Sequence, residues 1–149
     1  MSDLSELYQE ILLEHNSKPR NFRKLEEATQ SAEGYNPLCG DRITLYLSLE
    51  DGMIADVAFQ GTGCAISRAS ASMLTQSIKG QSVTKAREIF QAFHQMLTEP
   101  DEALDYEVLG DLETLSGVVA FPTRIKCAVL AWHTMQAALD DKGEAVSTE

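Results

Sequence analysis

Four stretches of the chain repeat apolar residues every three or four positions, and one stretch alternates apolar with polar residues. The repeating spacing predicts helices over residues 3–16, 64–79, 82–97 and 122–140, because residues so spaced share one face of a helix. The alternation over residues 42–60 predicts a β-hairpin with one apolar face.

The turn of this hairpin sets which residues face each other. A three-residue loop at 50–52, ending in a glycine bulge, places Leu49 opposite Met53 and keeps one face apolar. A two-residue loop would place Leu47 opposite Asp56 and spoil that face. We therefore predict the three-residue loop.

The remaining segments complete a single domain of 149 residues, which is long enough to bury a core. Residues 16–37 indicate a loop with a short first strand, residues 100–121 one short helix around 109–115, and residues 141–149 a polar, disordered tail. Because only one face of the hairpin is apolar, the helices must cover that face alone. We predict an α+β fold, a small antiparallel three-stranded sheet with helices packed on one face.

Composition and charge exclude several classes of protein. A net charge of −11 argues against nucleic-acid binding, which needs a basic surface. No apolar run approaches the roughly 20 residues of a membrane span, and the N-terminus lacks the features of a signal peptide. We expect a cytoplasmic protein, in which three cysteines favour metal binding or thiol chemistry over disulfides.

The three cysteines each lie at the edge of a predicted element. Cys39 and Asp41 share one glycine-containing loop, Cys64 begins a helix after a Gly-Thr-Gly turn, and Cys127 lies early in the last helix. Three thiolates and one carboxylate form a complete tetrahedral set for a thiophilic metal. We predict a metal site at one end of the fold; the alternative is three unrelated buried cysteines.

Four cations flank these ligands in an otherwise acidic chain: Arg42, Arg68, Arg124 and Lys126. They would offset the negative charge of the thiolates and lower the pKa of the thiols. Their alternative role is surface charge for solubility.

The histidines are not predicted to be ligands of this metal site. His15, His94 and His133 belong to three different predicted helices, and His133 points about 120° away from Cys127 on its helix. We predict surface positions or satisfied packing for all three, and no Cys-His nucleophilic pair.

The cysteine motifs resemble a known family. The segments that carry the resemblance are Asn36-Pro37-Leu38-Cys39-Gly40-Asp41, Gly61-Thr62-Gly63-Cys64-Ala65-Ile66-Ser67 and Lys126-Cys127-Ala128. They resemble the IscU/SufU family, iron–sulfur cluster assembly proteins of the NifU N-terminal type, over nearly the whole chain.

Within that family the chain is more similar to SufU. IscU proteins carry a histidine where this chain has Lys126, and a Leu-Pro-Pro-Val-Lys segment that residues 121–126 do not reproduce. Residues 100–121 look like the insertion typical of SufU. Chaperone-driven release of a cluster is therefore not expected.

The resemblance implies a zinc ion bound by Cys39, Asp41, Cys64 and Cys127. It also implies a SufS-type cysteine desulfurase, which uses pyridoxal phosphate, as the partner. Cys39 would accept the persulfide sulfur, as in a sulfurtransferase or sulfur carrier, and pass it to downstream iron–sulfur assembly proteins.

Two other functions remain open at this point. The same ligands suit iron, so an iron–sulfur cluster could assemble on the chain as on a scaffold and then be transferred. A zinc-stabilised interaction module without catalysis is the third alternative.

Overall fold

The computed structural model describes residues 2–37, 40–99, 106–140 and 146–147 of the chain. The structure combines helices with one mostly antiparallel sheet, as an α+β fold does. In chain order the elements are α1 (Ser2–Ser17), β1 (Gln30–Asn36), β2 (Asp41–Glu50), β3 (Met53–Thr62), α2 (Ala65–Ile78), α3 (Val83–Thr98), α4 (Tyr106–Leu109), a 3-10 helix (Gly110–Ala120), α5 (Pro122–Leu139) and β4 (Val146–Ser147).

The sheet has the order β3-β2-β1-β4. Strands β1, β2 and β3 are antiparallel neighbours, which confirms the predicted three-stranded sheet. The two-residue strand β4 adds a parallel edge, with Val146 opposite Gly34 and Ser147 opposite Tyr35. Two residues of the tail predicted to be disordered are therefore paired with the sheet, and residues 141–145 and 148–149 lie outside the described residues.

The predicted register of the β2–β3 hairpin is wrong. Glu50 faces Met53 across a two-residue loop, in which Asp51 and Gly52 have φ angles of 51° and 77°. Such positive angles at both loop positions match the right-handed twist of the strands. The register then shifts at a bulge beside Leu49, which restores the apolar face beyond the turn.

The bulge has a clear consequence for the core. Leu47 pairs with Val57 instead of Asp56, and Leu45 pairs with Phe59. These four apolar side chains are almost fully buried. An extra residue in one strand thus resolves the conflict that made a two-residue loop look unfavourable.

Helices α2 and α5 cover the sheet, α5 over β1 and β2 and α2 over β3. The helix α5 crosses β1 at Gly34, where an added Cβ would collide with the Thr134 hydroxyl. Trp132 of α5 is fully buried against Phe93 of α3, at 5.0 Å between ring centroids. The close approach of α5 depends on the missing side chain of Gly34.

The segment between α3 and α5 is more helical than predicted. The helix α4 and the 3-10 helix run from Tyr106 to Ala120 where one short helix was expected. Every third residue, Leu109, Leu112, Leu115 and Val118, is buried. This period of three is that of a 3-10 helix, whose side chains at i and i+3 are aligned.

Among the described helices, each is too short or too polar to cross a membrane.

Candidate metal centre

Three of the four predicted ligands meet at one end of the sheet. Asp41 is the first residue of β2, Cys64 caps the N-terminus of α2, and Cys127 lies in the second turn of α5. A carboxylate oxygen and the two Sγ atoms all lie within 4.8 Å of one another. The fourth predicted ligand, Cys39, lies outside the described residues.

The loop that contains Cys39 is anchored at both ends. Asn36, the last residue of β1, is paired with Asp41, the first residue of β2. The amide of Gly40 donates to the carbonyl oxygen of Asn36 at 2.9 Å, with a φ of 72° at Gly40 that favours glycine.

Asp41 is fully buried, and its carboxylate is held from two sides. Its Oδ1 accepts a hydrogen bond from the Cys64 amide at 2.8 Å, and its Oδ2 accepts one from Asn36 Nδ2 at 3.2 Å. A Cβ added to Gly63 would lie 2.6 Å from Oδ1. The glycine at this position therefore leaves just enough room for the carboxylate.

Cys64 occupies a helix cap that usually holds Ser, Thr, Asp or Asn. Its Sγ accepts from the Ser67 amide at 3.5 Å and lies 3.9 Å from Asp41 Oδ2. The amides exposed at a helix N-terminus can donate hydrogen bonds to such a sulfur. The position of Cys64 therefore suits a candidate metal ligand.

Cys127 is buried, with 2% of its surface exposed. Its Sγ receives the Asn36 side-chain amide at 3.5 Å and lies 3.6 Å from the Thr123 carbonyl oxygen. Two sulfurs and a carboxylate, held by hydrogen bonds from neighbouring groups, are a donor set that suits zinc or iron.

Asn36 was not among the predicted site residues. It is fully buried, and its side-chain amide contacts both Asp41 and Cys127, so it connects candidate ligands that are 86 residues apart in the sequence. The signal was present, because Asn36 begins the motif that ends in Cys39-Gly40-Asp41. Its role as a hydrogen-bond donor becomes visible only once α5 packs beside β1.

Three of the four predicted cations lie over aromatic rings. Arg42 covers Tyr35 at 5.1 Å, Arg68 covers Phe22 at 5.4 Å, and Arg124 covers Phe121 at 4.5 Å from guanidinium carbon to ring centroid. These aromatic residues are 38–48% exposed. Together with Lys126, the three arginine–aromatic pairs are called the cationic rim below.

The cationic rim differs from most of the other basic residues in its partners. No ion pair involves Arg42, Arg68, Arg124 or Lys126 among the described parts of the chain. Six others do form ion pairs with carboxylates: Arg20, Arg23, Lys24, Lys79, Lys85 and Arg87. Lys18 is the one other described basic residue without an ion pair, so most cations away from the candidate ligands are paired with a carboxylate while those near them in sequence are not.

None of the three histidines belongs to the ligand cluster found among the described residues. His15 is buried and hydrogen-bonded through Nδ1 to the Ser72 hydroxyl at 2.7 Å. His133 packs edge-to-face against Phe90 and His94. Burial lowers the pKa of both His15 and His133 below the usual value of 6.5. Both therefore serve packing, as predicted.

Comparison with known proteins identifies the family to which this chain is similar. The sequence profile of the NifU-like N terminal domain matches residues 7–128. The chain is 41% identical to the zinc-dependent sulfurtransferase SufU of Bacillus subtilis (strain 168), over 91% of this chain and 90% of that protein. It is 35% identical to the iron-sulfur cluster assembly scaffold protein IscU of Streptococcus pyogenes serotype M1, over 97% and 90%.

The fold is shared with a solved structure. The crystal structure of FiSufU from Fervidobacterium islandicum AW-1 superposes with a TM-score of 0.83 at 34% identity, covering 87% of this chain and 94% of that one. The chain therefore belongs to the NifU-like N-terminal domain family, among the SufU and IscU proteins of iron–sulfur cluster assembly. The resemblance predicted from the cysteine motifs is confirmed.

Proposed function

We propose that this protein is a zinc-binding sulfur acceptor of iron–sulfur cluster assembly, with Cys39 as the residue that takes up sulfur. The observation that carries the proposal is the meeting of Asp41, Cys64 and Cys127 within 4.8 Å from three separate elements. Such a cluster is a complete metal site once one further thiolate joins it.

Cys39 is within reach of the cluster. It is two residues from Asp41, so the chain keeps the two Cα atoms within about 7 Å in any conformation. We therefore assign the zinc ligands as Cys39, Asp41, Cys64 and Cys127. Bound zinc would keep the thiolates deprotonated, and with four protein ligands it would have no position for a water nucleophile. The zinc-dependent relative from Bacillus subtilis supports this choice of metal.

The transfer step is a thiol exchange on a persulfide. The Cys39 thiolate attacks the terminal sulfur of the persulfide on a cysteine desulfurase. A new S–S bond forms on Cys39, the old S–S bond breaks, and the desulfurase cysteine leaves as a thiolate. The step needs no external oxidant or reductant.

The cationic rim suits a docking partner whose surface is acidic and partly apolar. Its guanidinium groups lie over exposed aromatic rings and make no ion pair within the described residues. Beside it, between α1, the 3-10 helix and α5, lies a cleft of about 600 Å³, lined in part by Leu12, Ile66, Val118, Phe121 and Arg124. We infer that a SufS-type cysteine desulfurase docks here, with acidic residues against the arginines.

A desulfurase assay tests the proposal. Turnover of a SufS-type enzyme on cysteine is measured with zinc-loaded protein, with metal-free protein and with the Cys39→Ser variant. We expect stimulation by the zinc-loaded wild type alone, and a persulfide on Cys39 detectable by mass spectrometry. Equal stimulation by Cys39→Ser would refute the role of Cys39.

A scaffold function is the second candidate, because relatives at 35–38% identity are named iron-sulfur cluster assembly scaffold proteins. Anaerobic reconstitution with iron and sulfide distinguishes the two. A stable cluster that passes intact to an apo-ferredoxin would favour the scaffold, and failure to retain a cluster would favour sulfur transfer.

A further inference from the structure

One buried hydroxyl beside the ligand cluster has no hydrogen-bond partner. Ser67 is 1% exposed, and its Oγ contacts no donor or acceptor at hydrogen-bond distance among the described residues. The other buried serines of α2 are bonded, Ser70 to the Ala128 carbonyl oxygen and Ser72 to His15. Burying a hydroxyl without a partner destabilises a fold, so its presence calls for a physical reason.

The location of Ser67 suggests that reason. Ser67 lies three residues after Cys64 in α2, so the two side chains share one face of the helix, and helical side chains tilt toward the N-terminus. Its amide already donates to Cys64 Sγ at 3.5 Å. One turn further along that face, Ser70 bonds to Ala128, the neighbour of Cys127. Ser67 therefore lies on the face of α2 that carries Cys64 at one end and contacts α5 through Ser70 one turn later.

We propose that the Ser67 hydroxyl is a hydrogen-bond donor for the Cys64 thiolate of the metal-loaded site. This inference rests on the proposed function only in requiring that the site binds a metal. A thiolate ligand carries more negative charge than a thiol and is the stronger acceptor. Donors of this kind orient metal ligands and reduce the charge on them. Ser67 is thus a positioning residue, whose bond is made only in the loaded state.

The proposal predicts opposite effects on the metal-free fold and on metal binding. Ser67→Ala removes a hydroxyl that has no partner in the metal-free protein, so its melting temperature should rise by roughly 2–4 °C. The same change removes a donor to the ligand sphere, so the zinc dissociation constant should increase about 10–100-fold.

Ser77→Ala is the matched control, because Ser77 lies in the last turn of the same helix and is half-buried. It gives the same gain in helix propensity without a group near the cluster. We expect the melting temperature of metal-free Ser67→Ala to exceed that of Ser77→Ala, and Ser77→Ala to bind zinc as the wild type does. Zinc affinity is measured by competition with a chromophoric chelator.

Cobalt substitution gives a readout that a purely structural serine would not change. Loss of a hydrogen bond to a thiolate makes the sulfur more electron-rich. The sulfur-to-cobalt charge-transfer band of cobalt-loaded Ser67→Ala should therefore shift to lower energy than in the wild type and in Ser77→Ala.

The outcomes separate this inference from the proposed function. Unchanged zinc affinity and an unchanged band in Ser67→Ala, with normal binding by the wild type, would overturn the role of Ser67 alone. A lower melting temperature of metal-free Ser67→Ala would overturn it too, since the hydroxyl would then have a partner within the fold. Absence of zinc binding by the wild type would overturn both.

Discussion

Replacing Gly63 with alanine should weaken metal binding through Asp41 without unfolding the protein. The added Cβ would lie 2.6 Å from Asp41 Oδ1, 3.1 Å from Cγ and 3.2 Å from its Cβ. An ordinary contact begins near 3.4 Å, so the carboxylate must retreat by about 0.8 Å. Asp41 is fully buried and held by Asn36 and the Cys64 amide, so it cannot retreat without losing a hydrogen bond.

The magnitude follows from the bond that is lost. The 2.8 Å bond from the Cys64 amide to Oδ1 joins a donor to a charged group, for which about 1.5–3 kcal/mol is typical. Displacing a ligand by such a distance, or removing the group that orients it, weakens metal binding about 10–100-fold. We therefore expect Gly63→Ala to destabilise the metal-free protein by about 1.5–3 kcal/mol. It should also raise the zinc dissociation constant about 10–100-fold.

The assay combines urea unfolding of the metal-free protein with zinc competition against a chromophoric chelator. Gly117→Ala is the control, because a Cβ on Gly117 meets no atom within 4 Å. It should bind zinc like the wild type. In the double variant Gly63→Ala, Asp41→Ala the effects should be far from additive, since both act on one carboxylate.

Wild-type zinc affinity in Gly63→Ala would refute the reasoning, because the contact with Asp41 would then not restrict a ligand. Additive effects in the double variant would show that Gly63 acts by another route.

Three further predictions follow from the same structure. Asn36→Ala should weaken zinc binding about 10–100-fold in the chelator assay, since both Asp41 and Cys127 lose their shared donor; retained affinity would contradict this. Arg124→Gln should raise the concentration of protein needed for half-maximal desulfurase stimulation on the order of five-fold and flatten its salt dependence, whereas the ion-paired Arg87→Gln should not. The free energy of unfolding of the metal-free protein should fall as the pH drops below 6.5, because burial lowers the pKa of His15 and His133 and the unfolded chain takes up protons that the folded chain does not. Each histidine should reduce that free energy by up to about 1.4 kcal/mol per pH unit. A flat urea-unfolding profile between about pH 7.5 and pH 5.5 would contradict the last.

The sequence alone determined the elements whose causes are local. Helix spacing predicted both ends of α1, α2, α3 and α5 to within one residue. Cys64 and Ser82 were placed at helix starts, where their side chains do accept the capping bonds of α2 and α3. These signals lie within one or two turns of the residues they describe, so they can be read without knowing the fold.

The hairpin bulge and the extra strand depended on tertiary structure. The alternation of β3 is compatible with two registers against β2. The observed register is the one that buries Ile54, Val57 and Phe59 together in the core. The short strand β4 pairs with the edge that β1 offers. Two residues are too few for an alternating pattern, so the sequence of Val146 and Ser147 could not predict this strand.

The candidate centre divides in the same way. The sequence supplied the kinds of ligand and the glycines beside them, because thiolates, a carboxylate and tight turns are properties of single residues and short motifs. Only the packing of α5 and α2 on the sheet brings Asp41, Cys64 and Cys127 together, and only there does Asn36 come into contact with Cys127. Contacts between residues far apart in sequence have no local signal, since they exist only after the core has formed.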